Sequence, residues 1–155
     1  MRKQSAAVAL QSMLVQQEKI IDYFNLMLAF RTQIEKEVFT IVDKAIVRGK
    51  IAKTQRVHLA NIIENYLERS FKCEALSVFD LTIVDKIKSV RAKLGQLEKN
   101  IKNTLIFNTQ DAVEWRRRFE EAHDDIGNVN DLVSIENRRI NDFVRDLRKR
   151  IHPGQ

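Results

Sequence analysis

Several side-chain groupings in this 155-residue chain have types and spacings that could do chemistry. The first is Glu120-Glu121-Ala122-His123. Glu120 and His123, three residues apart, share one helix face, the spacing used by carboxylate metal sites in bundle cores. A dinuclear site needs that pair twice and two further Glu. His58 has Gln55 three residues before it and His152 has Lys149, so the set is incomplete and no metal or other cofactor is expected. Cys73 is the single cysteine, which permits neither an internal disulfide nor a Cys-based zinc site. Lys72 beside it could lower its pKa. No histidine is near in sequence, and the thiol reads as a small buried hydrophobe at a helix end. There is no Gly-rich phosphate loop and no G-x-S-x-G, so no small-molecule substrate is evident and catalysis is not expected.

Two arginine–histidine spacings stand apart from these. Four residues separate Arg118 from His123, and six separate Arg145 from His152. An Arg followed by four to six residues and a His resembles the motif of helical HEPN-type ribonucleases, small helical bundles that often dimerise. The resemblance covers eight residues and implies an Arg that holds the phosphate and a His that acts as acid and base at the scissile bond. The family usually places a polar residue such as Asn after the Arg. Here Phe119 follows Arg118, a departure, and Asp146 follows Arg145.

A third grouping is basic. Lys88, Arg91, Lys99 and Lys102 fall within a wedge of about 80° on an ideal helix, with Lys86 and Lys93 on a flank. Such a stripe could track a phosphate backbone. No exposed aromatic is interleaved with it for stacking, and no base-reading motif is present. Arg116-Arg117-Arg118, followed by Glu120 and Glu121, reads as local ion pairing along a helix. The net charge is +6, distributed as +3 over residues 1–50, +4 over 51–108 and −1 over 109–155. This admits nucleic acid as a partner class, whereas a membrane surface is not expected.

The elements that must position these groups are helices. One Pro and four Gly are too few for an all-β sandwich or barrel, and 44% apolar residues suffice for a core. Residues 4–48 predict one very long helix with room for a kink, ended by Arg48 and Gly49. Met13, Ile20, Met27, Ile34 and Ile41 recur every seven residues, as do Leu10, Gln17, Phe24, Arg31, Val38 and Ala45. Together they make a coiled-coil seam in which Gln17 and Arg31 could set register. About 45 residues at 1.5 Å each span roughly 67 Å, well beyond a compact small domain. Thr54 is the expected N-cap of a helix to about Lys72, and Ser77 or Asp80 could start the next. From Thr82 the rows Ile83, Val90, Leu97 and Ile87, Leu94, Ile101 are clean, with Gly95 suggesting a close backbone approach. A fourth helix follows Asn108-Thr109, Gly127-Asn128 predicts a break, Asn130 caps a last helix, and Pro153-Gly154 stops it.

The expected fold is all-α: an elongated antiparallel bundle of four or five helices in a single domain over residues 1–155. Nine of the eleven residues from Ile20 to Phe30 are apolar, so this stretch must be covered on nearly every side. A central position in the monomer, a homodimer seam or a groove for a foreign helix would each do that. The expected partner-binding residues are Ile20, Ile21, Tyr23, Phe24, Met27, Leu28 and Phe30. The start, with Arg2 and Lys3 before Ala6–Leu10, lacks a signal-peptide pattern because Gln11 and Ser12 interrupt it. With one unpaired Cys, a cytoplasmic location is expected. The functional expectation is a non-catalytic, self-associating helical protein-interaction module (adaptor, chaperone-like or structural) whose protein partner the sequence does not name, with nucleic-acid binding or HEPN-type RNA cleavage as the alternative.

Overall fold

In a computed structural model, residues 2–73 and 79–152 are described, and every regular element among them is helical. The chain opens with α1 (Arg2–Gln33), passes through one π-helical stretch (Ile34–Val38) and continues as α2 (Phe39–Arg48), forming one unbroken rod. Helices α3 (Lys53–Lys72), α4 (Leu81–Asn103) and α5 (Thr109–Ile151) follow. The rod ends as expected: Gly49 takes φ 69°, the left-handed cap, and its N–H reaches the Ala45 carbonyl at 2.9 Å.

The π turn changes the seam. It inserts one residue into the rod, so the inward position moves from Ile41, which is half-buried, to Val42, which is fully buried. The buried residues of the rod from Ile20 onward are Ile20, Tyr23, Met27, Phe30, Ile34, Val38, Val42 and Ala45; before the π turn Tyr23 and Phe30, not the expected Phe24 and Arg31, complete the seam.

Helix α5 runs antiparallel along the whole rod. Its register is marked by Gln17 against Asn137 (3.4 Å) and Asn141, by Arg31 Nε on the His123 carbonyl (3.1 Å), and by Arg116 on Asp43 (2.7 Å). The two polar seam residues thus fix the alignment of the long pair. The Gly127-Asn128 break does not occur, and α5 is continuous over 43 residues. Gly127 instead makes room: a Cβ there would lie 3.0 Å from the Arg31 guanidinium. Asn130 is no cap but a buried residue within α5, and neither of its side-chain polar atoms has a partner among the described residues.

Helices α3 and α4 form a hairpin against one side of this pair. Asp80 caps α4 by accepting from Ile83 N–H at 3.0 Å. Ser77 and the Pro153-Gly154 stop lie outside the described residues. Ala52, not Thr54, precedes the first turn of α3, and it offers no capping side chain. Gly95 has open space around it, so no backbone approaches there.

The hairpin is shorter than the rod. Its far end is level with Tyr23, whose hydroxyl is 2.8 Å from Ser70 Oγ and whose ring meets Phe79 edge-on at 5.9 Å. The molecule therefore has two regions. From about residue 20 to the Gly49 turn, four helices enclose a core in which Trp115, Phe119, Ile34 and Leu59 have no exposure. Beyond Tyr23, among the described residues, only the start of α1 and the end of α5 continue, as a two-helix stalk. Its core is thin: Ala6, Ile140, Val144 and Leu147 are buried, while Leu10, Met13 and Leu14 are only partly covered.

Candidate functional site

The residues singled out for chemistry are largely occupied by the fold. Glu120 and His123 do not converge. Glu120 pairs with Arg116 at 2.9 Å, and His123 turns toward the π turn, where Nε2 meets Glu35 Oε1 at 2.6 Å and Nδ1 meets Asp124 at 3.2 Å. The hydrogen bond from His123 holds the Glu35 carboxyl below its ordinary value. Among the described residues no group of three or more His, Cys, Asp or Glu side chains could hold a metal ion.

Arg118 and His123 face different neighbours. Arg118 bonds Glu114 at 3.0 Å and lies beside Asn100 of α4 and Thr104 just after it, whereas His123 lies against the rod. The second spacing fares otherwise: Arg145 and His152 line one open groove at the stalk tip, together with Arg148 and Lys149. Leu10 and Val144 form its apolar part, Gln17 and Asn141 contribute amides, and its volume is about 470 Å³. Arg145 also pairs with Asp142 at 3.2 Å.

The basic stripe loses its second member. Arg91 is buried, not aligned with the lysines in solvent. Its Nε donates to Ser70 Oγ at 2.7 Å, its Nη2 donates to the Ser70 carbonyl, and its guanidinium lies 4.7 Å from the Phe71 ring centre. Helical periodicity places Arg91 within the wedge, but the carbonyl end of α3 is a better partner than water for a cation with a long apolar stem. Lys102 pairs with Glu98 at 2.8 Å and Glu64 at 3.5 Å, which raises its pKa. Lys88 and Lys99 remain exposed.

The arginine triplet does what its spacing suggests and more. Arg116 bonds Glu120 and also reaches across to Asp43, and Arg117 lies 3.6 Å from Glu121. Glu114 receives both Arg117 (2.6 Å) and Arg118 (3.0 Å), which holds its carboxyl down to about 2.

The apolar block Ile20–Phe30 divides. Ile20, Tyr23, Met27 and Phe30 are buried in the chain's own core, where Phe30 stacks on Tyr66 at 4.2 Å, so they offer nothing to a second chain. Phe24 is half-buried, and Ile21 and Leu28 are 42% and 44% exposed. With the partly covered Leu14 they continue a row at seven-residue intervals, Leu14, Ile21, Leu28, along a flank of α1. Phe24 and Ile21 also border a shallow pocket with Ser134, Asn137 and Arg138 of α5.

Sequence reasoning missed a further surface. The α4–α5 turn carries three successive bulky apolar residues, Leu105-Ile106-Phe107, of which Leu105 is 96% and Ile106 86% exposed. That run, at a turn between two clean heptad segments, was the available signal.

No helix among the described residues is long and apolar enough to cross a membrane. Comparison of the chain with protein-family models, curated proteins and solved structures finds no match, so its geometry is the basis for a functional reading.

Proposed function

We propose that the protein acts by recognition, as a self-associating helical module that pairs through the flank of α1 bearing Leu14, Ile21 and Leu28. The observation that carries this reading is that row: large aliphatic side chains at heptad spacing, with Ile21 and Leu28 exposed and Leu14 only partly covered, beside the half-buried Phe24. A helix row with this period matches a second helix, which would remove the row from water. The row is also self-complementary. In an antiparallel pair centred on Ile21, Leu14 of one copy faces Leu28 of the other, as a two-fold interface requires.

Light scattering of the full chain across a concentration series tests it. The expected mass is twice 18.1 kDa, falling to 18.1 kDa for Ile21→Glu/Leu28→Glu with the helical signal unchanged. A wild-type chain that stays at 18.1 kDa at high concentration removes the proposal.

A second reading, nucleic-acid binding, is supported by the groove that gathers Arg145, Arg148, Lys149 and His152. Its cations suit a phosphodiester backbone, and binding would weaken steeply with salt. The ribonuclease version requires His152→Ala to abolish RNA cleavage by the wild-type chain. Absence of RNA and DNA binding at low salt ends this reading.

A further inference from the structure

The end of the bundle opposite the stalk presents two aliphatic side chains on a clamped turn. Arg56 clamps its entry: Nε donates to the Ile101 carbonyl at 2.8 Å, and Nη2 donates to those of Lys102 (3.2 Å) and Thr104. Phe107 and Asn108 clamp its exit. The Phe107 ring lies 5.5 Å from Trp115, and Asn108 forms a reciprocal capping box with Asp111. Between these clamps Leu105 and Ile106 stand 96% and 86% exposed. Phe107 turns inward to hold the turn, while its two neighbours point to solvent.

The surroundings are predominantly basic, although Asp111 of the capping box and the Lys102 partners Glu64 and Glu98 lie nearby. From Lys44 to Ile63 the chain carries five Lys or Arg and no acid. Lys50 and Lys53, beside the turn, and Lys99, one turn above the end of α4, are exposed and form no ion pair among the described residues. The nearby connector adds Ile51, which borders an apolar hollow with Val57, Leu105 and Phe107.

We propose that this end of the bundle docks on an anionic lipid bilayer, with Leu105 and Ile106 entering the boundary between headgroups and acyl chains. An apolar tip with exposed lysines on the neighbouring segments joins the two attractions such a surface offers: burial of hydrocarbon and the field of anionic headgroups. A nucleic-acid backbone would use the lysines but leave both aliphatic side chains in water. A protein would need a cavity shaped to receive a convex tip, which a bilayer does not. This surface is distinct from the α1 row, so either proposal can fail alone.

Sedimentation of the full chain with vesicles tests it. The wild-type chain is expected to bind phosphatidylcholine vesicles containing about 30 mol% phosphatidylserine and to ignore pure phosphatidylcholine, with binding lost as salt rises. Leu105→Ser/Ile106→Ser keeps every charge, and both positions are exposed, so melting should be unchanged while binding falls about tenfold or more. Lys50→Gln/Lys53→Gln should also weaken binding, and Lys36→Gln/Lys86→Gln, exposed away from this end, should not. A wild-type chain left in the supernatant with the anionic vesicles overturns the proposal and passes the tip to an acidic protein surface. Equal binding by the serine variant overturns it too, because the adsorption would then rest on charge alone.

Discussion

The four-helix region and the two-helix stalk are built from the same two helices, yet they bury their side chains to different depths. In the first, α3 and α4 close the open side of the long pair, and Trp115, Phe119 and Ile126 reach 0–1% exposure. In the stalk the same rows of α1 and α5 continue, but Leu10, Met13 and Leu14 stay partly wet and Phe143 is 47% exposed. Phe143 lies fourteen residues after Val129, which borders α4, with the polar Glu136 between them in the same register, and it lies beyond the reach of α4. A heptad pattern thus says that a face is apolar without saying how many helices cover it.

The largest expected effect that probes this contrast is Trp115→Ala. Trp115 has no exposure, and its Nε1 donates to Asn100 Oδ1 at 3.0 Å, so its removal should destabilise by about 3–5 kcal/mol in urea unfolding. Leu147→Ala in the stalk should cost less, about 2 kcal/mol, because two helices relax around a gap more readily than four. Equal losses at both positions would erase the distinction between the regions. Amide exchange sharpens the same comparison: stalk amides of α5 beyond about residue 137 should exchange faster than those near Trp115.

Smaller effects follow at the boundary. Asn130 is buried with both polar atoms unpartnered among the described residues, so Asn130→Leu should stabilise by about 1 kcal/mol, read as a higher Tm. A lower Tm would mean that its amide serves the native packing. Smallest is an acid-side effect. Folding lowers the Glu114 pKa from 4.5 to about 2 through its hydrogen bonds from Arg117 and Arg118. Its stabilising contribution is therefore present above about pH 4.5 and is lost as pH falls toward 2. Glu114→Gln should melt slightly below the wild-type chain at pH 7, and the difference should vanish near pH 2.

Much of the architecture was legible in the residues. The rows Ile83, Val90, Leu97 and Ile87, Leu94, Ile101 are all buried, Asn108 begins α5, and Gly49 ends the rod. The site was less legible, for reasons specific to each residue. Arg91 shares its helix face with Lys88 and Lys99 but has the carbonyl end of α3 opposite it. Gly127 and Asn130 have the composition of a break, but the long antiparallel contact with the rod keeps α5 helical through both.

The sequence by itself determined that the chain is helical, elongated and paired along heptad seams, because periodicity is a local property written in the order of apolar residues. Which faces close was decided by tertiary structure alone. The hairpin is too short to cover the long pair, the π turn moves the seam by one residue, and Arg56 holds Leu105 and Ile106 outward. The Arg56 contacts join residues 45 to 48 apart in the chain, and periodicity along one helix carries no information about the helix opposite.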